Sequence, residues 1–202
     1  MFAIIGCNDN SNSFDEIPSK NNVYDTSPIT SPINGRNLDN YLFRNDVQYV
    51  DVRDYKAAIQ DGYIAGFEFI PFYPLIASFK ENEALYRMEN TIKEDGTEIA
   101  AGQVGGFTVQ YEESETLVKS MFSQDKYIFL VSQSGSESAY VINLLIQLGY
   151  NPSLLYNVGG VGGSAGIIGY DDISSNKYFI KGVGNIGTNI DFNLFEDLTP
   201  IN

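Results

Sequence analysis

Apolar positions along the chain fall into short continuous runs and helical repeats that alternate. Tyr127 to Val131 is a strand-like run, followed by a small polar loop, Ser132 to Ser138. Ala139 to Leu148 has helical spacing and stops at Gly149, and Ser153 to Val158 is a second strand-like run ending at Gly159-Gly160. Strand, loop, helix, strand is the unit of a parallel α/β sheet. The loop after the first strand of such a unit, at the helix N-terminus, is where chemistry or anion binding is usually placed.

The rest of the chain adds elements around this unit. Asn37–Phe43 is helix-like, Asp46–Val52 is a β-branched run that predicts a buried strand, and Arg53–Asp61 is amphipathic with Gly62 as its break. Phe67–Ile70 reads as a short strand closed by Pro71. Residues 74–88 are helix-like, 105–111 strand-like and 114–122 helix-like. Near the C-terminus, 166–172 and 177–182 flank the turn residues 173–176 and predict a β-hairpin, before a short acidic tail at 191–202.

Composition narrows the chemistry. At 202 residues the chain holds one sizeable domain plus a tail. A net charge of −14 argues against nucleic acid and against electrostatic attraction to an anionic membrane. The sequence contains no histidine and one cysteine, Cys7. That removes Ser-His-Asp and Cys-His catalysis, His- or Cys-cluster metal sites and any intramolecular disulfide. No run of about 18 apolar residues is present, so none predicts a membrane-spanning helix.

Ile4-Ile5-Gly6-Cys7 resembles a bacterial lipobox, whose cysteine is lipidated and becomes the mature N-terminus. Only six residues precede Cys7, shorter than a signal peptide needs, so 1–7 reads as a truncated lipobox-like segment. Residues 8–36, rich in Asn, Ser, Asp and Pro, are expected to be a disordered tether. A lipid on Cys7 implies an extracytoplasmic domain anchored to a bacterial membrane through that lipid alone.

Four blocks then occur in order over residues 38–165. They are Tyr49-Val50-Asp51-Val52-Arg53, the Gly62-Tyr-Ile-Ala-Gly66 to Pro71 segment, the strand ending in the Ser132–Ser138 loop, and Leu148-Gly149-Tyr150 followed by Gly159-Gly160-Val161. Together they resemble the rhodanese-like domain. The resemblance implies an α/β fold, with a central, mostly parallel sheet of about five strands flanked by helices. It places the domain at 37–165, with an insertion at 74–124 and a C-terminal extension at 166–202 that carries the hairpin. The insertion precedes the loop strand and is placed either to fold over the loop's mouth or to decorate the periphery.

The resemblance puts an active-site-like loop at Ser132, Gln133, Ser134, Gly135, Ser136, Glu137 and Ser138. It aligns Ser132 with the family's catalytic cysteine, Tyr63 with its histidine and Glu137 with a position that is often basic. A hydroxyl cannot carry sulfane sulfur, and a serine nucleophile needs an adjacent base. Glu137 adds negative charge where sulfur transfer needs positive potential. The loop's ends, Ser132 and Ser138, also lack the Cys and Arg of a Cys-x5-Arg phosphatase. We therefore expect no catalytic residue, metal or cofactor.

The loop retains hydroxyls, one amide and backbone N–H groups suited to a small anion, a water cluster or a peptide carboxylate. Alternatively it only caps its helix, with Ser136 or Ser138 at the N-cap. The expected function is a non-catalytic binding or structural module for a protein or peptide partner. The alternative is a sulfurtransferase-family enzyme with residual or altered activity at Ser132.

Three further patterns carry no function. Gly182-Val-Gly184-Asn-Ile-Gly187 matches a dinucleotide fingerprint but leaves no room for the required helix and strand. Gly162–Gly166 matches a nucleophile elbow without a histidine partner. Asp171, Asp172, Glu112, Glu113 and Glu115 read as solvated acidic surface, with no calcium-loop spacing.

Overall fold

A computed structural model describes residues 14–89, 106–162, 169–184 and 193–201. The lipobox-like segment and residues 90–105 of the insertion lie outside these described residues. The core is a four-stranded sheet in the order β3 (Glu68–Phe69), β1 (Val47–Asp51), β7 (Tyr127–Ser132), β8 (Leu155–Gly160). All its pairings are parallel. The fold is therefore α/β, and among the described residues the central sheet has four strands where about five are expected.

Successive residues of β7 point to opposite faces. Ile128 and Leu130 pack into a cluster with Val141, Leu144 and Leu145 of α3 (Ser136–Gln147) and Val118 of α2 (Ser114–Met121). Phe129 and Val131 pack into a second cluster with Tyr156, Val158, Ile17, Ile33 and Leu38. Burial on both faces explains why β7 reads as an unbroken apolar run rather than an alternating one.

The second cluster overturns the expectation of a disordered tether throughout 8–36. Within 14–36, Ile17 and Ile33 are buried, at 7% and 0% exposed. Lys20 Nζ donates to Val23 O at 2.5 Å and to Leu155 O at 2.8 Å. The Tyr156 hydroxyl donates to Pro18 O at 3.0 Å. The segment is a strap along β8. Two isoleucines and a few side-chain hydrogen bonds order a stretch whose average composition reads as tether.

Other expectations also change. Asn37–Phe43 contributes a 3-10 turn, Leu38–Tyr41. Residues 74–88 do not form a helix. A tight turn over Phe72–Ile76 leads into β4 (Ala77–Ser78), and β5 is Tyr86–Met88. These strands and β6 (Phe107–Val109) form a second sheet, parallel between β4 and β5 and antiparallel between β5 and β6. Leu75, Ile76, Leu85, Tyr86 and Met88 all reach the same core from this path, so tertiary burial overrides the helical spacing.

Residues 166–168 of the expected C-terminal hairpin lie outside the described residues, and among the described ones its second strand pairs elsewhere. β9 (Phe179–Lys181) pairs antiparallel with β2 (Gly62–Ile64), which follows α1 (Tyr55–Asp61). The chain between Gly169 and Asn176 is instead tied into turns, with Asp172 accepting from the Gly169 amide at 3.0 Å. A β-carbon on Gly182 would lie 1.9 Å from Gln60 O, so only glycine lets β9 approach α1 this closely. Among the described residues, no helix is long and apolar enough to cross a membrane.

Candidate functional site

β7 ends at Ser132 and α3 begins at Ser136, so the chain reverses through Gln133, Ser134 and Gly135. Gly135 takes the N-cap position with φ +86°, a left-handed conformation that glycine adopts without strain. No serine side chain caps α3. Ser136 and Ser134 share a hydroxyl contact at 3.2 Å, and the buried Ser138 Oγ has no hydrogen-bond partner. The expectation of a serine N-cap is thus not met.

Ser132 is 0% exposed. Its hydroxyl oxygen accepts the Gly135 amide at 2.8 Å, and its carbonyl accepts from Val161 at 2.9 Å. The Gly135 N–H thus turns inward onto the loop's own hydroxyl. Asn157 of β8 holds the other side, its Nδ2 donating to Gly135 O at 2.8 Å and to Thr26 O at 2.8 Å. One amide therefore ties the loop to the strap.

Beside the loop, at the C-terminal ends of β1 and β7, lies a cavity of about 310 Å³. Arg53, Asp54, Asp61, Tyr73, Gln133 and Glu137 contribute to its wall. Arg53 is positioned by Asp51, a fully buried carboxylate. Arg53 Nε donates to Asp51 Oδ1 at 3.0 Å, and Nη2 donates to Asp51 Oδ2 at 2.6 Å and to Gly62 O at 2.8 Å. Arg53 Nη1 and Glu137 Oε2 are both buried without a hydrogen-bond partner. Burial is the main cause that pushes the Tyr73 hydroxyl up to about 12, followed by the fields of Tyr140 and Glu137. Asp171 is raised, first by burial and then by Asp172, against the attraction of Arg53.

The cavity's charge balance is negative. Arg53 is already matched by Asp51, leaving the carboxylates of Asp54, Asp61 and Glu137 on the wall. With the Gly135 N–H also taken, this arrangement opposes a small anion.

The remaining candidates sit elsewhere. Tyr63 lies on β2 with its ring edge-on to Phe69 at 5.3 Å. Glu113 accepts from the Thr199 amide at 3.0 Å, and Glu115 pairs with Lys119 at 2.5 Å, so both are structural. Gln147 near the far end of α3 donates to Phe107 O at 2.9 Å. That contact ties the second sheet to the end of α3 distant from the loop, and among the described residues Tyr73, just ahead of the insertion, lines the cavity. Among the described residues, no group of three His, Cys, Asp or Glu is arranged to hold a metal ion.

Sequence reasoning missed Asp61, Tyr73, Asn157 and the Arg53 donor as parts of the site. The spacing of Asp51 and Arg53 at a strand's end was the signal available for one of them. Compared with protein-family models, curated proteins and solved structures, the chain matches none.

Proposed function

We propose that the chain is a rhodanese-like domain that has lost sulfur transfer. It serves as a non-catalytic binding module, held outside a bacterial cell by a lipid on Cys7. The observation that carries this reading is the state of Ser132: buried, without a thiol, and using its hydroxyl oxygen to accept the Gly135 amide. A nucleophile must be reachable and activated, and this hydroxyl has neither a histidine base nor an open path. The cavity beside the loop supplies the binding surface, within the size range of small-ligand and peptide side-chain pockets.

A thiosulfate:cyanide sulfur-transfer assay tests the proposal. We expect no turnover above background in the intact chain or in Ser132→Ala. Turnover that Ser132→Ala abolishes would favour the alternative, an enzyme acting through Ser132. The anchor is tested separately by mass spectrometry of the membrane-extracted protein, where a diacylglyceryl group on Cys7 is expected. Recovery of the protein with an unmodified thiol removes the anchor.

A further inference from the structure

We propose that the cavity between α1 and the Ser132–Ser138 loop accepts the basic side chain of a peptide, lysine or arginine, together with the peptide carbonyl that adjoins it. The inference rests on the binding-module reading and specifies its ligand class. Two buried polar atoms on this cavity's residues are unmatched: Arg53 Nη1, a donor, and Glu137 Oε2, an acceptor. The Arg53 side chain is only 3% exposed, and no protein acceptor partners its Nη1. A ligand that presents an acceptor to Arg53 and a donor to Glu137 satisfies both at once.

Charge selects among ligands that do so. Asp51 neutralises Arg53 through paired hydrogen bonds, so Arg53 offers hydrogen bonding more than net positive field. Glu137, Asp54 and Asp61 supply the surplus, which favours a cation and disfavours a carboxylate, phosphate or thiosulfate. Tyr73, 37% exposed on the same wall, adds an aromatic ring for a guanidinium or ammonium head. The volume of about 310 Å³ holds one long side chain and its peptide unit. In this arrangement the carbonyl lies on Arg53 Nη1 and the basic head group on Glu137 Oε2. Asp61 and Asp54 contribute longer-range attraction.

The test is an amide ¹H–¹⁵N titration of the full chain with N-acetyl-arginine methylamide and N-acetyl-lysine methylamide. N-acetyl-citrulline methylamide and N-acetyl-glutamate methylamide are the neutral and acidic controls. We expect the basic probes to shift Gln133, Glu137 and Arg53, and to bind at least tenfold more tightly than the citrulline probe. Glu137→Gln should weaken the basic probes about tenfold. Asp61→Asn, on an exposed position that leaves the loop intact, should weaken them severalfold. Equal binding of the citrulline or glutamate probe overturns the charge selection while leaving the binding module in place. If no probe shifts cavity residues, the ligand assignment is overturned. Sulfur transfer by the intact chain overturns the reading beneath it.

Discussion

Pro28 of the strap lies over Gly135 of the loop so closely that a β-carbon on Gly135 would come within 2.8 Å of Pro28 Cγ. The same β-carbon would lie 3.2 Å from Asn157 Oδ1, and the backbone there has φ +86°. Gly135→Ala therefore combines left-handed strain with a clash between loop and strap. We expect a loss of about 1–3 kcal/mol in urea unfolding. Limited proteolysis should show faster cleavage between residues 18 and 30. An unchanged cleavage rate would mean that Pro28 does not hold the loop.

Placing a thiol at position 132 separates ionisation from access. In a Cys7→Ser background, a Ser132→Cys thiol should receive the Gly135 N–H and sit at the N-terminal end of α3, both favouring the thiolate, with Glu137 opposing them. Ser132 is fully buried, so iodoacetamide should modify the new thiol at least tenfold more slowly in the native chain than in urea. Adding Gly135→Ala should accelerate the native reaction. Rapid alkylation without that second change would show an open loop. Time-resolved mass spectrometry provides the readout.

The Asp51–Arg53 pair is buried and held by several hydrogen bonds, so removing one partner leaves an uncompensated charge. Asp51→Ala should cost about 3–5 kcal/mol in chemical denaturation. Arg53→Met should also destabilise, and the double replacement should cost less than the sum of the two. Strict additivity would mean that the pair is not coupled.

These residues also show how far the sequence could be read. The β7–α3–β8 unit was legible because its apolar runs are long and both faces of the sheet are covered. Asp51 and Arg53 were visible at the end of β1, but their pairing and the unmatched Nη1 arise only from how the folded chain packs around them. The strap was hidden because Ile17 and Ile33 are isolated among polar residues, and burial there depends on a distant face of the sheet. Residues 74–88 misled for the opposite reason: apolar spacing suited to a helix is also satisfied by a turn and two short strands against one core. The closed serine loop depends on a single torsion at Gly135, which no periodicity records.

Lys20 makes the strap sensitive to alkaline pH. Burial lowers its pKa from 10.5 to about 8, against the attraction of Asp25. Between about 8 and 10.5 the unfolded chain keeps a proton that the folded chain has released, so folding stability rises with pH. Because Lys20 is partly exposed, solvent screening limits the gain to about 1 kcal/mol or less. Above about pH 10 the trend reverses. Burial raises Tyr86, Tyr150 and Tyr156 to about 12, so the unfolded chain releases protons that the folded chain retains. Urea midpoints measured from pH 7.5 to 11 should pass through a maximum. Lys20→Met should remove the rise and leave the fall.

The two sides of the central sheet limit how a partner can engage it. At β8, Lys20 Nζ occupies Leu155 O, and the Tyr170 amide donates to Gly160 O at 3.0 Å. At the opposite side β3 spans only Glu68 and Phe69. Among the described residues, neither margin offers a long run of open backbone groups for strand addition. For the proposed binding module, recognition at the main sheet would then fall to side chains at the strand ends, where sequence specificity is written in shape and charge rather than in main-chain pairing.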